Sequence, residues 1–363
     1  MKNARWIRVL VAMQRPAVAV VMAFSSLAFA APPEVDAGTR LVLLGTNGGP
    51  VLSANRSEPA LMLVTHGKHY LIDAGAGTSG QVVKAGFRPS QIDDIFISHH
   101  HIDHNAGLPS LIATIWFERA WRHIDKPPLG IYGPPATEFL VHSALNFLSV
   151  SEEIFESGVP ELPSAESLFQ AHDINEDGPV FADGIISVAA VTNTHFTDVS
   201  RGPSGKQNKS YAYRIETPDG SIVYTGDTGP SEAVEKLALN ADVLVSEIDV
   251  LTLVSKSGLP EESFPGQSPM PPKQAQAQRL HQTTEHLTPE QVGQLASRAH
   301  VKTVVLTHFV PSAVADRNPE IFIDGVKRFF TGKVVLGSDL MSIEIPSGSW
   351  SSAPASPGGT PHQ

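Results

Sequence analysis

From Arg40 onward the chain alternates between short apolar, β-branched runs and longer stretches with helical spacing. Runs at residues 41–44, 61–64, 70–72, 95–97, 185–191, 211–215, 222–224, 243–245, 304–306 and 334–336 are bounded by Gly, Asp or Pro, which predicts strands. Helices are predicted around 80–85, 108–123, 137–155, 232–239 and 289–299. Thr288 and Pro289 give the last of these a capping hydroxyl and a proline in its first turn. Residues 255–284 are rich in Pro, Ser and Gln and carry no apolar period, so a long loop is predicted there, placed as a lid. Residues 347–363 are Ser/Pro/Gly-rich and read as a flexible tail. The alternation of strands and helices points to an α/β fold.

Composition narrows the picture. The 363 residues are 41% hydrophobic, enough for one large α/β domain or two modest ones. Lys2, Arg5, Arg8 and Arg15 precede or flank an apolar run at 17–24, and residues 25–30 end in a small-x-small pattern. That predicts a signal peptide over 1–30 and a periplasmic or secreted enzyme domain over 31–346. The run reaches about 12 Å as a helix, short of the ~30 Å of a hydrocarbon core, so no membrane anchor is expected. Removing four positive charges takes the net charge from −11 to −15. So acidic a chain lacks a basic footprint, and no nucleic-acid partner is expected. With no cysteine, disulfides, thiolate metal ligands and lipid attachment through an N-terminal cysteine are excluded. The oligomeric state is left open, a homodimer included.

The chemistry is concentrated after the strand at 95–97, where the chain reads His99-His100-His101-Ile102-Asp103-His104. Alternate residues on extended backbone point the same way, so His99 and His101 reach one metal while a turn brings Asp103 and His104 toward a second. Imidazoles and a carboxylate without thiolates suit zinc, with manganese or iron as alternatives. His100 points to the opposite side and reads as structural. Three further strands run into His195, Asp227 and His308, at the strand ends where α/β folds gather functional groups. Trp116, Phe117 and Trp121 follow at helical spacing, as core or as an aryl-binding wall.

The motif, the ordered strand-end residues, and the segments Leu44-Gly45-Thr46-Asn47-Gly48-Gly49-Pro50, Leu71-Ile72-Asp73-Ala74-Gly75 and Val305-Leu306-Thr307-His308-Phe309 resemble the metallo-β-lactamase superfamily. Within it they are most similar to the branch of ribonuclease Z, small phosphodiesterases and zinc-dependent arylsulfatases. The resemblance implies an αββα sandwich. It also implies one zinc on His99, His101 and His195, a second on Asp103, His104 and His308, and Asp227 bridging them. A cysteine usual in the β-lactamases is replaced by Asp227, which speaks against antibiotic hydrolysis. The branch further implies a general acid, His286, oriented by Glu247, with Asp103 also among the catalytic residues.

Two zincs lower the pKa of water toward ~7 and so supply the attacking hydroxide. The expected substrate is a small anionic ester, an aryl sulfate or a phosphodiester. Lactone or thioester hydrolysis on the same metals, and a non-catalytic periplasmic zinc-binding protein, are the alternatives. Ribonuclease Z carries a transfer-RNA-clamping arm between its third histidine ligand and bridging aspartate. Only 32 residues separate His195 from Asp227 here, which, with the acidic charge, argues against transfer-RNA processing.

Overall fold

The structure, a computed structural model, describes residues 38–159, 161–196, 205, 207–250 and 271–345. The expected signal peptide at 1–30, the tail at 347–363 and residues 255–270 of the expected lid lie outside them. In chain order the strands are β1 (Thr39–Gly45), β2 (Ala60–Thr65), β3 (Lys68–Ile72), β4 (Asp94–Phe96), β5 (Leu129–Gly133), β6 (Phe169–Asp173) and β7 (Gly178–Ala182). They continue as β8 (Ser187–Thr192), β9 (Tyr211–Thr217), β10 (Gly220–Tyr224), β11 (Val243–Asp249), β12 (Thr303–Val310), β13 (Lys333–Leu336) and β14 (Met341–Ile345). The helices are α1 (Thr78–Lys84), α2 (Ile102–Asn105), α3 (Leu108–Trp121), α4 (Thr137–Gly158) and α5 (Glu232–Leu237). After these come α6 (Pro272–Thr284), α7 (Pro289–Arg298), α8 (Ser312–Arg317) and α9 (Glu320–Lys327).

Two seven-stranded mixed sheets result, ordered β14-β1-β2-β3-β4-β5-β6 and β13-β12-β11-β10-β9-β8-β7. The period-2 pattern explains the layering. In β1, Leu41 and Leu43 face the second sheet, packing with Val188, Tyr213, Ile222 and Val305. Val42 and Leu44 face the other way, toward Val82 of α1, Leu111 and Ile115 of α3 and Val141 of α4. On the far side, Val223, Leu244 and Val304 pack under Val234 of α5, Val292 and Leu295 of α7 and Phe322 of α9. Strands covered on both faces read as continuous apolar runs, which is why they stood out in the sequence. Each fully buried leucine contributes roughly 1.5–3 kcal/mol. Three apolar seams between four layers are the expected αββα sandwich. Among the described residues no helix is long and apolar enough to cross a membrane.

The differences have local causes. β6 alternates buried Phe169 with exposed Gln170 and His172, β7 opens on Gly178-Pro179 and is barely covered, and β14 alternates Met341-Ser342-Ile343-Glu344-Ile345, so none presents a long apolar run. β5 has a glycine at each end of its Gly130-Ile131-Tyr132-Gly133 stretch. β14 exists because β1 offers it an antiparallel partner, pairing Thr39 with Ile345 and Leu43 with Met341. The loop expected at 255–284 is corrected over its second half, where α6 forms. Pro272 sits in the first turn, and Lys, Gln, Ala, Arg and Leu follow, all good helix formers. Its only buried residue is Gln282, so it needs no apolar period. Trp116 is buried with its indole N–H on the Pro163 carbonyl, 3.0 Å away. Phe117 and Trp121 stack on each other and meet Phe155 at an angle, joining α3 to α4 as core and surface rather than forming a wall at the site.

Close backbone crossings hold the motif loop in place. Gly107 donates to the Ala74 carbonyl at 2.8 Å, and a Cβ there would lie 2.2 Å from the Gly75 carbonyl oxygen. Gly107→Ala is therefore expected to lower Tm by roughly 3–10 °C, from an overpacking cost of about 1–3 kcal/mol. Gly80→Ala, in open space on α1, is expected to be neutral or slightly stabilising. Thermal unfolding of the two variants checks this; equal melting temperatures would refute the close-approach argument.

Candidate metal centre

The ends of β4, β8, β10 and β12 meet at one rim of the sandwich, β4 from the first sheet and the others from the second. There the side chains form two groups that share Asp227. His99, His101, His195 and Asp227 present donor atoms within 4.8 Å of one another, and so do Asp103, His104, His308 and Asp227. In the first group, His195 Nε2 lies 2.9 Å from His101 Nδ1, and Asp227 Oδ2 lies 3.8 Å from His99 Nε2. In the second, Asp227 Oδ1 is 3.3 Å from His104 Nε2 and its Oδ2 is 3.1 Å from His308 Nε2. Asp103 Oδ2 is 3.4 Å from His308 Nε2 and 3.5 Å from His104 Nε2. All seven residues named from the sequence are thus brought together.

Backbone geometry aims them. His101 is the extended residue before α2, and that single turn swings Asp103 and His104 back under the strand ends. Gly226 takes a φ of 56° just before Asp227. β12 does not stop short of His308 but runs through it to Val310. Its register with β11 passes from Ser246↔Leu306 to Ile248↔Phe309, so Thr307 and His308 bulge opposite Glu247. His308 itself has a φ of 49°, and Gly48 passes so near that a Cβ would sit 2.8 Å from His308 Nδ1.

Asp73, which carried no assigned role in the sequence, holds the group from behind. At a left-handed φ of 59°, its buried carboxylate accepts from Ser98 N (2.7 Å), Ser98 Oγ (2.8 Å), His104 Nδ1 (2.8 Å) and Tyr224 Oη (2.7 Å). His195 Nδ1 donates to the Glu285 carbonyl at 3.0 Å. His100 turns away, its Nε2 3.3 Å from the Pro134 carbonyl, as a structural residue does. Phe196, adjacent to His195, packs its ring 5.0–5.9 Å from those of His99, His101 and His195. Its only sequence signal was that adjacency.

Glu247 and His286 also meet. His286 Nδ1 donates to Glu247 Oε2 at 2.9 Å, and Glu247 Oε1 accepts from Thr228 N at 2.8 Å. Burial opposes a charge on His286, but the Glu247 carboxylate outweighs it and pushes the imidazole up to about 9. The His286 ring stands 5.0 Å from that of His195 and 6.0 Å from that of His308. His281, on α6 and missed in the sequence, lies beside it, Nε2 to Nε2 at 3.2 Å.

The residues fit metals. His99 Nε2, His104 Nε2 and Asp227 Oδ1 are buried and make no hydrogen bond. Burial holds His99, His101 and His195 below the usual imidazole range, so their lone pairs stay available. Burial would raise Asp227, yet His308 and His104 hold it well below the carboxylate range, and Asp103 is held at about 2 in the same way. The carboxylates demand positive charge, and the imidazoles around them have the nitrogens to bind it. His104, backed by Asp73, has the carboxylate–histidine arrangement common behind metal ligands.

Comparison with known proteins agrees. A family model described as a beta-lactamase superfamily domain matches residues 68–309. The ribonuclease Z of Mycobacterium avium (strain 104) is 28% identical over 308 residues, covering 84% of this chain and 98% of that protein. Human tRNase Z, short form, superposes with a TM-score of 0.58 at 22% identity, covering 85% of this chain and 99% of that one. The metallo-beta-lactamase fold protein YhfI from Bacillus subtilis gives 0.56 at 19% identity, covering 84% and 98%. These similarities overturn the expectation of no nucleic-acid partner, since the chain aligns with nearly the whole of a protein named for cleaving RNA. Net charge sums over the whole surface, whereas a ligand at this rim meets the local field of the site. The matched region contains every residue of both metal groups, and the chain belongs to the beta-lactamase superfamily, as a metal-dependent hydrolase of the metallo-β-lactamase fold.

Proposed function

We propose that this protein hydrolyses phosphodiesters, RNA linkages among them, with His286 protonating the leaving oxygen. The observation that carries this reading is the buried Glu247–His286 dyad, 2.9 Å between Oε2 and Nδ1, standing beside both metal groups. The ribonuclease Z relatives lend support through the reaction in their name. Divalent metals held by His99, His101 and His195 and by Asp103, His104 and His308, with Asp227 between, would supply Lewis acidity and an activated water. Glu247 fixes the His286 ring, and with Nδ1 committed to the carboxylate, Nε2 is the nitrogen that carries the transferable proton. Asp103 keeps one carboxylate oxygen directed at His104 and His308, holding the second group together. A ribose or alkyl oxygen leaves as a strongly basic alkoxide and needs that proton; a phenol leaving from an aryl sulfate needs it far less. The dyad therefore favours phosphodiesters over aryl sulfates.

Turnover of bis(p-nitrophenyl) phosphate, an RNA and p-nitrophenyl sulfate tests the substrate class. Cleavage of the RNA, whose leaving oxygen needs the proton, well above the sulfate is expected. Sulfate turnover alone would sink the proposal.

For the acid, His286→Ala is expected to cost little with a nitrophenyl leaving group and on the order of 10²-fold or more with an alkyl or ribose one. Steady-state kinetics across leaving groups reads this. A uniform loss would remove His286 from the proton-transfer role.

Asp73→Asn is expected to weaken binding at the second group by about 10–100-fold, because His104 loses the carboxylate behind it. Competition of the protein with a chromophoric chelator measures the change, starting from two metals per chain in the unaltered protein. Unchanged affinity would show that Asp73 serves the fold alone.

A further inference from the structure

We propose that His281 and His286 form a third divalent-metal site, weaker than the two below it, and that filling it inhibits the enzyme. The two Nε2 atoms face each other at 3.2 Å. Behind each ring stands a carboxylate. His281 Nδ1 is hydrogen-bonded to Glu285, and His286 Nδ1 donates to Glu247 at 2.9 Å. With each Nδ1 held by a carboxylate, the two Nε2 atoms are turned toward one another. A proton held between them satisfies that geometry, and so does a cation bonded to both.

The spacing suits a cation. Two nitrogens bound to one tetrahedral zinc at 2.0–2.1 Å stand about 3.3 Å apart. A carboxylate holding the far nitrogen of each imidazole is the arrangement that metal-ligating histidines use. His195 belongs to the same cluster of donors, but its Nε2 is 2.9 Å from His101 Nδ1 and its Nδ1 donates to the Glu285 carbonyl. It is committed to the first metal group. The third site therefore has two protein nitrogens and completes its coordination with water or substrate oxygens, so it binds more weakly than the groups of four. The His281 side chain is 35% exposed, giving an ion a way in. Imidazole donors select zinc, copper or nickel over magnesium. An entering zinc displaces the shared proton to solvent and occupies His286 Nε2. The inhibition, though not the binding, rests on His286 acting as the acid.

The test is stepwise zinc titration of the full chain, followed by calorimetry and by hydrolysis of an alkyl-leaving phosphodiester. The unaltered protein is expected to take a third, weaker equivalent and to lose activity as it fills. His281→Ala is expected to keep the first two equivalents and lose the third, and added zinc should no longer lower its rate. Glu285→Gln, which leaves both imidazoles in place, is expected to weaken the third equivalent by about 10-fold or more. Saturation at two equivalents, or a third retained in His281→Ala, would overturn the site. A third equivalent that is lost in His281→Ala but leaves activity untouched would overturn the inhibition and the acid role of His286, with the site intact.

Discussion

A single buried carboxylate, Asp73, sets the conditions for the rest of the site. It has no exposed surface, and its charge is sustained by four hydrogen bonds, from Ser98 N and Oγ, His104 Nδ1 and Tyr224 Oη. Isolated, such a charge would cost several kcal/mol or more to bury, so the donors must arrive together. Ser98 follows β4 of the first sheet, and Tyr224 ends β10 of the second. Satisfying Asp73 therefore fixes the two sheets against each other at the rim where the ligands gather. It also fixes the His104 ring, leaving Nε2 pointed at Asp103 and Asp227.

The two metal groups are electrostatically unlike. The first is mostly imidazole, kept neutral by burial; the second packs Asp103 and Asp227 against His104 and His308, with Asp73 behind. Three residues of the left-handed region stand there. Asp73, Gly226 and His308 have φ of 59°, 56° and 49°, and all three are ligands, the neighbour of one, or the support of one. Such strain costs on the order of 1–3 kcal/mol per non-glycine residue and persists where the surroundings over-determine it. Here the bulge between β11 and β12 and the Asp73 network supply that over-determination.

Around this rigid floor the rim is built from later, more polar chain. Glu285 at the end of α6 holds His195 through its carbonyl and His281 through its carboxylate, so one residue couples the first metal group to the second imidazole pair. Phe196 adds an apolar ring against three of the histidines. The reaction class comes from the floor, and the choice among substrates is left to rim residues whose identity the metals do not dictate.

The sequence by itself determined what local pattern can carry. Strands buried on both faces appear as apolar runs, so β1 to β4 and β9 to β12 were legible, while the partly covered β8 and β13 were legible from their valine-rich runs. His99, His101, Asp103 and His104 lie within six residues, where backbone periodicity alone orients them. His195, Asp227 and His308 were found because each follows such a run, and Glu247 and His286 entered through family resemblance. Only the tertiary structure gave Asp73 its role, because its partners Ser98 and Tyr224 are 25 and 151 residues away. β14 depended on β1 being there to pair with it. α6 and His281 were hidden because an exposed helix needs no apolar stripe, and nothing in its own residues tells which neighbour it will face. Partner choice escaped the sequence for the same reason: net charge is a sum over all residues, while recognition depends on where folding places them.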